Sequence, residues 1–164
     1  MITEDRKAKG LMLNDTIADN VILPLLPRAA RFGIGINPEK YAHANRVIEQ
    51  LNVAAQGPDH IVGKLSGGNQ QKVVLGKWLA TSPKILLLDE PTRGIDIGAK
   101  DEIYTLIGNL ADQGISIIFA SSEFSEFLAV CDRMFVLCEG RVTGRLTLDE
   151  MNNDAIRHLA MQFQ

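Results

Sequence analysis

Two short segments of the sequence combine residue types that handle phosphate groups and metal ions. The first, residues 65–71 (LSGGNQQ), places a serine and two glycines directly before a predicted helix. Glycines let the backbone turn sharply and leave no side chain in the way of a bound group, and the N–H groups at a helix start attract anions. Ser66, Gly67 and Gly68 therefore predict a phosphate site, although a capped helix start without a ligand fits the same residues.

The second segment, residues 85–91 (ILLLDEP), is an apolar run that ends in two adjacent carboxylates. Such a run predicts a strand buried on both faces, and open α/β sheets bind their ligands at the carboxyl ends of strands. There, Asp89 suits Mg²⁺ and Glu90 suits orienting or activating a water molecule. The alternative is that the two acids only mark the point where the strand meets solvent.

Helices and strands alternate around these segments, which indicates an α/β fold with a largely parallel sheet. A first short helix is capped by Asp15 or Thr16 and ends by residue 23, where prolines follow. The other predicted helices cover residues 38–52, 69–81, 99–111 and 123–130, and a last one follows residue 149. The predicted strands are 85–88, 116–120, 134–137 and 141–146, the last two joined by a tight turn.

Composition and charge exclude several classes of protein. The chain has 164 residues, with 17 Lys+Arg against 20 Asp+Glu, and a net charge of −3 lacks the basic surface that nucleic acids require. No apolar run approaches the ~20 residues that span a bilayer, and the first ten residues lack the apolar stretch of a secretory signal. The two cysteines, Cys131 and Cys138, favour free thiols in a reducing compartment over a disulfide or a zinc site.

Taken in order, the segments resemble the ATP-binding cassette (ABC) ATPases. LSGGNQQ resembles the signature motif, ILLLDEP the Walker B strand, GID (94–96) the D-loop, and SSE (121–123) the switch loop. The chain also resembles the second cassette of bacterial sugar importers of the ribose, galactose and xylose type. The segments that carry this resemblance are ITEDRK, at the Q-loop position, NQQKVVLGKWL, EPTRGIDIGAK and ASSE. The resemblance implies a partial P-loop NTPase fold: a mostly parallel sheet with a helical subdomain.

The same resemblance implies ATP and Mg²⁺ as cofactors and assigns residues to them. The nucleotide-binding residues, at an interface between two cassettes, would be Ser66, Gly67, Gly68, Gln71 and Asp96. The residues near the metal would be Asp89 and Glu4. The catalytic residues would be Glu90, as the base that acts on water, and Ser122, at the switch position.

The sequence departs from the family pattern at two points. Ser122 stands where most ABC ATPases have histidine, and a hydroxyl donates one hydrogen bond but carries no charge. A P-loop, G-x-x-x-x-G-K-(S/T), does not occur; the nearest segment, 57–65 (GPDHIVGKL), has five residues between its glycines and a leucine in place of the hydroxyl. We therefore expect the P-loop strand to be missing, two strand edges to lack partners, and the isolated chain, a C-terminal piece of a longer ATPase, to show no turnover.

The expected domains are a Q-loop remnant (1–13), a helical subdomain (14–63), a core segment with signature, Walker B, D-loop and switch (64–148), and a tail (149–164). The implied partners are a second cassette, a membrane permease and, indirectly, a periplasmic sugar-binding protein. The chain itself would lie at the cytoplasmic face of the bacterial inner membrane, and nucleic acid is not expected as a partner. Two alternatives stay open: a degenerate cassette that lends its signature loop to a complete partner, and a non-transport ABC ATPase. The sequence does not identify the sugar.

Overall fold

The computed structural model describes residues 1–2, 5–27 and 36–161, and the chain forms two compact units. The first unit is Met1–Ala120 and the second is Ser121–Gln164. Within the described ranges, no helix combines the length and the apolar character that crossing a membrane requires. The finer division predicted after residues 13, 63 and 148 stays a prediction.

The helices of the first unit begin at polar caps. Thr16 caps helix α1 (Ile17–Ile22): its Oγ1 accepts a hydrogen bond from the Asp19 N–H at 3.0 Å. The prolines do not unwind the chain at once, because Pro24 lies in a 3₁₀ turn, Leu23–Leu25, that its fixed φ permits. Helix α2 (Ile36–Gln50) agrees with the helix predicted over 38–52.

Helix α3 (Gly67–Leu79) packs against α2 at a glycine. A Cβ atom at Gly76 would lie 2.2 Å from Cγ1 and 2.8 Å from Cγ2 of Val47, so a glycine is needed for this approach of the two helices. The helix starts two residues earlier than predicted, because Ser66 caps it directly at Gly67.

A buried lysine connects α3 to helix α4 (Ile97–Asp112). Lys72 is only 6% exposed, and its Nζ donates to Glu102 Oε2 at 2.7 Å and to the Asn52 carbonyl at 2.9 Å. A buried ammonium needs such partners to offset its desolvation. The helix that begins with the predicted signature motif is thus held to its neighbours on two sides.

Strands β1 (Ile85–Asp89) and β2 (Ser116–Ala120) form the parallel pair that the alternation of elements predicts. Ile2 lies on the other side of β1: it forms a parallel bridge with Leu88, and its N–H donates to the Leu87 carbonyl at 2.8 Å. Helix α4 connects the two strands and buries one apolar stripe, Ile103, Ile107 and Leu110.

The expectation that β1 is buried on both faces is wrong for this structure, and β2 is also exposed on one side. Leu86 and Leu88 are 2% exposed, whereas Ile85 and Leu87, on the opposite face of β1, are 60% and 40% exposed. Ile118 on β2 is 58% exposed. Side chains alternate between the two faces of a strand. The described residues of the first unit cover only one face of this strand pair.

The second unit is a hairpin covered by a helix. Strands β3 (Arg133–Cys138) and β4 (Arg141–Thr147) pair antiparallel, as the predicted tight turn at Glu139-Gly140 requires. Helix α5 (Phe124–Val130) precedes them and helix α6 (Asn153–Ala160) follows them. The small core consists of Met134, Val136 and Met151, against which Ile156 and Leu159 of α6 pack.

Candidate functional site

The serine of the predicted phosphate loop caps α3 and remains at the surface. Ser66 Oγ accepts hydrogen bonds from Asn69 N at 3.4 Å and from Asn69 Nδ2 at 2.8 Å, and the residue is exposed. Asn69 is itself held, because its Oδ1 accepts from the Ala54 N–H at 2.7 Å. A hydroxyl that only accepts in these contacts keeps its own proton for a further acceptor.

The two glycines at the start of α3 serve close packing more than a sharp turn. Both are helical residues, and neither is among the residues with positive φ. A Cβ atom at Gly68 would lie 2.7 Å from Ala99 Cβ, and one at Gly67 would lie 3.4 Å from the Gly94 carbonyl oxygen. The glycines thus let the start of α3 lie directly on residues 94–99, which form the end of the turn after β1 and the first residues of α4.

The two predicted carboxylates stand at the carboxyl end of β1, as expected. The Asp89 N–H donates to the Ile2 carbonyl at 3.0 Å, which places Asp89 inside the sheet ladder. Glu90 leaves the strand with a φ of 47°, and its N–H donates to the Ala120 carbonyl at 2.9 Å. A left-handed backbone is uncommon for a residue other than glycine, and Glu139 in the turn between β3 and β4 shares it, with a φ of 49°.

The turn after the strand presents the start of α4. Thr92 is 1% exposed, Gly94 has a φ of 67°, and Asp96 caps α4 by accepting from the Ala99 N–H at 2.9 Å. Asp96 is exposed, so its structural role as a cap leaves the side chain accessible to a partner.

Arg6 lies in this site, and the sequence patterns gave it no role. It begins a short helical turn, Arg6–Gly10, and is 9% exposed. Its Nη1 donates to the Arg93 carbonyl at 2.6 Å and its Nη2 to the Gly94 carbonyl at 3.1 Å. Burial lowers the pKa of the Arg6 guanidinium from its ordinary value. The segment ITEDRK drew attention to Glu4, but nothing in the sequence marks backbone acceptors so far along the chain.

Three of the predicted site residues are not placed in this group. Gln71 is 2% exposed, which argues against direct contact with a nucleotide and leaves it a role in the packing of α3. Glu4 lies outside the described residues. Ser122 is exposed and belongs to the second unit, just before α5. The structure therefore brings together the signature residues, the end of β1 and the turn at 92–96.

No group of three or more His, Cys, Asp or Glu side chains that could hold a metal ion occurs in the part of the chain that the structure describes. Asp89 and Glu90 are adjacent carboxylates, and both are partly exposed. Mg²⁺ keeps several waters and is commonly held by one or two carboxylates together with substrate phosphates. Asp89 therefore fits one such ligand position, in a site that needs further ligands from the nucleotide and water.

Comparison with known proteins agrees with the geometry. The profile of the family described as "ABC transporter" matches residues 2–93. The chain is 45% identical over 159 residues to the ribose import ATP-binding protein RbsA of Streptococcus agalactiae and 49% identical over 160 residues to that of Geobacillus kaustophilus. It is 43% identical to the xylose import ATP-binding protein XylG of Thermoanaerobacter pseudethanolicus. These matches cover 97–98% of this chain but 32% of each relative, so the chain spans about a third of their length.

Solved structures share the fold. An inward-facing conformation of a putative metal-chelate type ABC transporter superposes with a TM-score of 0.82 at 18% identity, over 98% of this chain and 63% of that one. A dimeric, post-hydrolysis ATP-binding cassette bound to ADP and Pi gives a TM-score of 0.73 at 24% identity, over 89% and 62%. The predicted ABC ATPase fold is confirmed, and with the family profile covering more than half of its residues, this chain belongs to the ABC transporter family.

Proposed function

We propose that the chain is part of the ATP-hydrolysing subunit of a bacterial sugar importer. The observation that carries the proposal is the packing of the signature residues directly on the turn that follows the Walker B carboxylates, where a Cβ at Gly67 would lie 3.4 Å from the Gly94 carbonyl oxygen. Relatives named for ribose and xylose import support a sugar as the transported substrate, and both sugars are pentoses. The permease and the binding protein would select the sugar.

The start of α3 has the chemistry of a phosphate site. Ser66 is exposed and caps a helix of 13 residues, whose first N–H groups carry partial positive charge. Because its Oγ accepts from Asn69, the hydroxyl proton can point toward a phosphate oxygen. Ser66, Gly67 and Gly68 would bind the terminal phosphate of ATP held by another cassette.

The end of β1 would supply the metal and water chemistry. Asp89 would bind Mg²⁺, directly or through water, and the ion would neutralise charge on the phosphates. Glu90 would hold the attacking water and accept its proton, and its left-handed backbone turns the side chain out of the strand direction. Ser122 would act at the switch position, and Asp96 would contact the partner cassette.

Hydrolysis by this arrangement needs a P-loop, and the sequence contains none. We propose that a P-loop segment on another polypeptide or region completes the site, and that ATP and Mg²⁺ bind to the completed assembly. The partners would be a second cassette and a membrane permease, with a periplasmic sugar-binding protein acting through the permease. The assembly would lie at the cytoplasmic face of the bacterial inner membrane.

The test measures phosphate release by this chain alone and after addition of a polypeptide that carries the P-loop segment of a ribose-type cassette. We expect no turnover from the chain alone and turnover from the mixture. Glu90→Gln is expected to lower kcat by roughly 10²–10⁴-fold, the usual contribution of a general base. Glu49→Gln, an exposed change of the same kind on α2, serves as the control and is expected to leave kcat unchanged.

Ser66→Arg separates the alternatives, because it fills the phosphate position without touching the carboxylates. Loss of turnover with Ser66→Arg and full turnover with Glu90→Gln would mean that the chain is a non-catalytic cassette that lends its signature loop. Full turnover with both variants would refute the proposed site.

A further inference from the structure

A buried guanidinium joins the two loops of the candidate site. Arg6 donates from Nη1 to the Arg93 carbonyl at 2.6 Å and from Nη2 to the Gly94 carbonyl at 3.1 Å. These carbonyls belong to consecutive residues, and the planar fork of an arginine suits two neighbouring acceptors in a way that a lysine ammonium does not. The Nε atom is buried without a hydrogen-bond partner in the described part of the chain, and the bonds to Arg93 and Gly94 come from the two Nη atoms.

The same guanidinium also touches the start of α3. A Cβ atom at Gly67 would lie 3.0 Å from Arg6 Nη2 and 3.4 Å from the Gly94 carbonyl oxygen. Arg6, Gly67 and Gly94 therefore meet at one point, and a Cβ atom at position 67 would require the guanidinium to shift by a few tenths of an ångström. The Arg6 side chain therefore lies where the signature residues and residues 92–96 meet.

The turn that carries Arg6 is itself held at both ends. Asp5 Oδ1 accepts from the Lys7 and Ala8 N–H groups at 3.1 and 2.9 Å, and Lys77 on α3 donates to the Gly10 carbonyl at 3.0 Å. Within the turn, the Arg93 N–H donates to the Glu90 carbonyl and the Ile95 N–H donates to the Thr92 carbonyl, both at 3.2 Å. Arg6 thus donates to this turn from a segment that is itself held in place.

We propose that Arg6 is a positioning residue that fixes residues 92–96 against the signature loop and so sets the geometry in which Ser66, Glu90 and Asp96 act. Its effect on turnover rests on the proposed function, whereas its effect on the order of residues 92–96 does not. Arg6 touches no reacting atom in this arrangement. It acts through the carbonyls of Arg93 and Gly94.

The experiment compares Arg6→Met, Arg6→Lys and the control Lys7→Met, an exposed neighbour on the same turn, by amide hydrogen exchange of the whole chain. With Arg6→Met, we expect exchange in residues 92–96 to become at least tenfold faster, while exchange in α2 changes less than twofold. Arg6→Lys should give an intermediate acceleration, because an ammonium keeps the positive charge but lacks the planar fork that matches two neighbouring carbonyls. Lys7→Met should match the unchanged chain. If Arg6→Met does not fold, Arg6→Lys tests the proposal instead: intermediate acceleration at residues 92–96 supports it, and unchanged exchange overturns it.

The second readout is the kinetics of the mixture with the P-loop polypeptide. A positioning role predicts a fall in kcat of tenfold or more with Arg6→Met and a KM for ATP within threefold of the original. Unchanged exchange at 92–96, equal acceleration across the first unit, or faster exchange with unchanged kcat would each overturn the proposal. If the unchanged mixture shows no turnover but Arg6→Met still loosens residues 92–96 selectively, the proposed function fails and the positioning of this turn by Arg6 is supported.

Discussion

Replacing Gly76 by alanine tests whether the close approach of α3 to α2 shapes the first unit. A Cβ atom there would lie 2.2 Å from Cγ1 and 2.8 Å from Cγ2 of Val47, both far inside van der Waals contact. Overpacking of this kind costs about 1–3 kcal/mol, and alanine recovers about 1 kcal/mol of helix propensity. Because the overlap is severe, we expect Gly76→Ala to lower the free energy of unfolding by about 1–2 kcal/mol.

A second glycine in a helix provides the matched control. Gly108 on α4 is exposed, and a Cβ atom there would meet nothing within 4 Å. Gly108→Ala should therefore raise the free energy of unfolding by about 0.5–1 kcal/mol. Urea unfolding followed by fluorescence of the single tryptophan, Trp78, measures both variants.

Combining Gly76→Ala with Val47→Ala isolates the contact. Val47→Ala removes both methyl groups that the new Cβ would strike, at a cost of its own of roughly 1.5 kcal/mol for two buried carbons. In that background only the 3.1 Å approach of the new Cβ to the Cβ of residue 47 remains, so Gly76→Ala should lose most of its cost and become neutral or stabilising. Equal stabilisation by Gly76→Ala and Gly108→Ala in the original chain would refute the reasoning.

Two further predictions concern titratable groups. Burial, with the nearby charge of Asp132, raises the pKa of the Cys131 thiol to about 11. Alkylation of Cys131 by iodoacetamide, measured by mass spectrometry, should therefore be slow at pH 8 and become about tenfold faster per pH unit up to pH 10. An alkylation rate independent of pH would contradict this. Hydrogen bonds from Lys40 and Thr16 hold the pKa of Asp19 below its ordinary value. Its stabilisation is therefore present above the unfolded pKa of about 4 and is lost as the pH falls through the lowered folded value. Since the Asp19 side chain is 41% exposed, Asp19→Asn should cost at most about 1 kcal/mol in urea unfolding at pH 6, and the cost should shrink as the pH falls below about 4. A cost that does not change with pH would contradict the ion pair.

The helix starts could be predicted from the sequence because they depend on neighbours within one turn. Thr16, Ser66 and Asp96 each accept a hydrogen bond from the N–H three residues on, and the identity of the cap residue already indicates that contact. The parallel pair of strands also followed from the alternation of helices and strands. These features require no knowledge of distant parts of the chain.

The burial of the strands could not be predicted in the same way. The run ILLL shows that each residue tolerates burial, but the number of covered faces depends on which other elements pack there. The structure covers the face of Leu86 and Leu88 and leaves that of Ile85 and Leu87 exposed.

The role of Arg6 was hidden for a related reason. Its acceptors are main-chain carbonyls 87 and 88 residues away. Because every residue type has a main-chain carbonyl, no pattern of side chains predicts this contact. The sequence shows the two glycines of the signature loop but not why glycine is needed at each position. In the structure, Gly68 packs against Ala99 and Gly67 packs against Arg6. The sequence placed these residues in a site and left the packing that forms it undetermined.

The contact between Gly68 and Ala99 has an electrostatic consequence. It brings the amino-terminal ends of α3 and α4 side by side, so two positive helix ends face the same neighbourhood. Their caps differ in charge: Asp96 neutralises the end of α4 with a carboxylate, whereas Ser66 caps α3 with a neutral hydroxyl. The pair is therefore asymmetric, and an approaching anion is repelled from the Asp96 side and drawn to the Ser66 side.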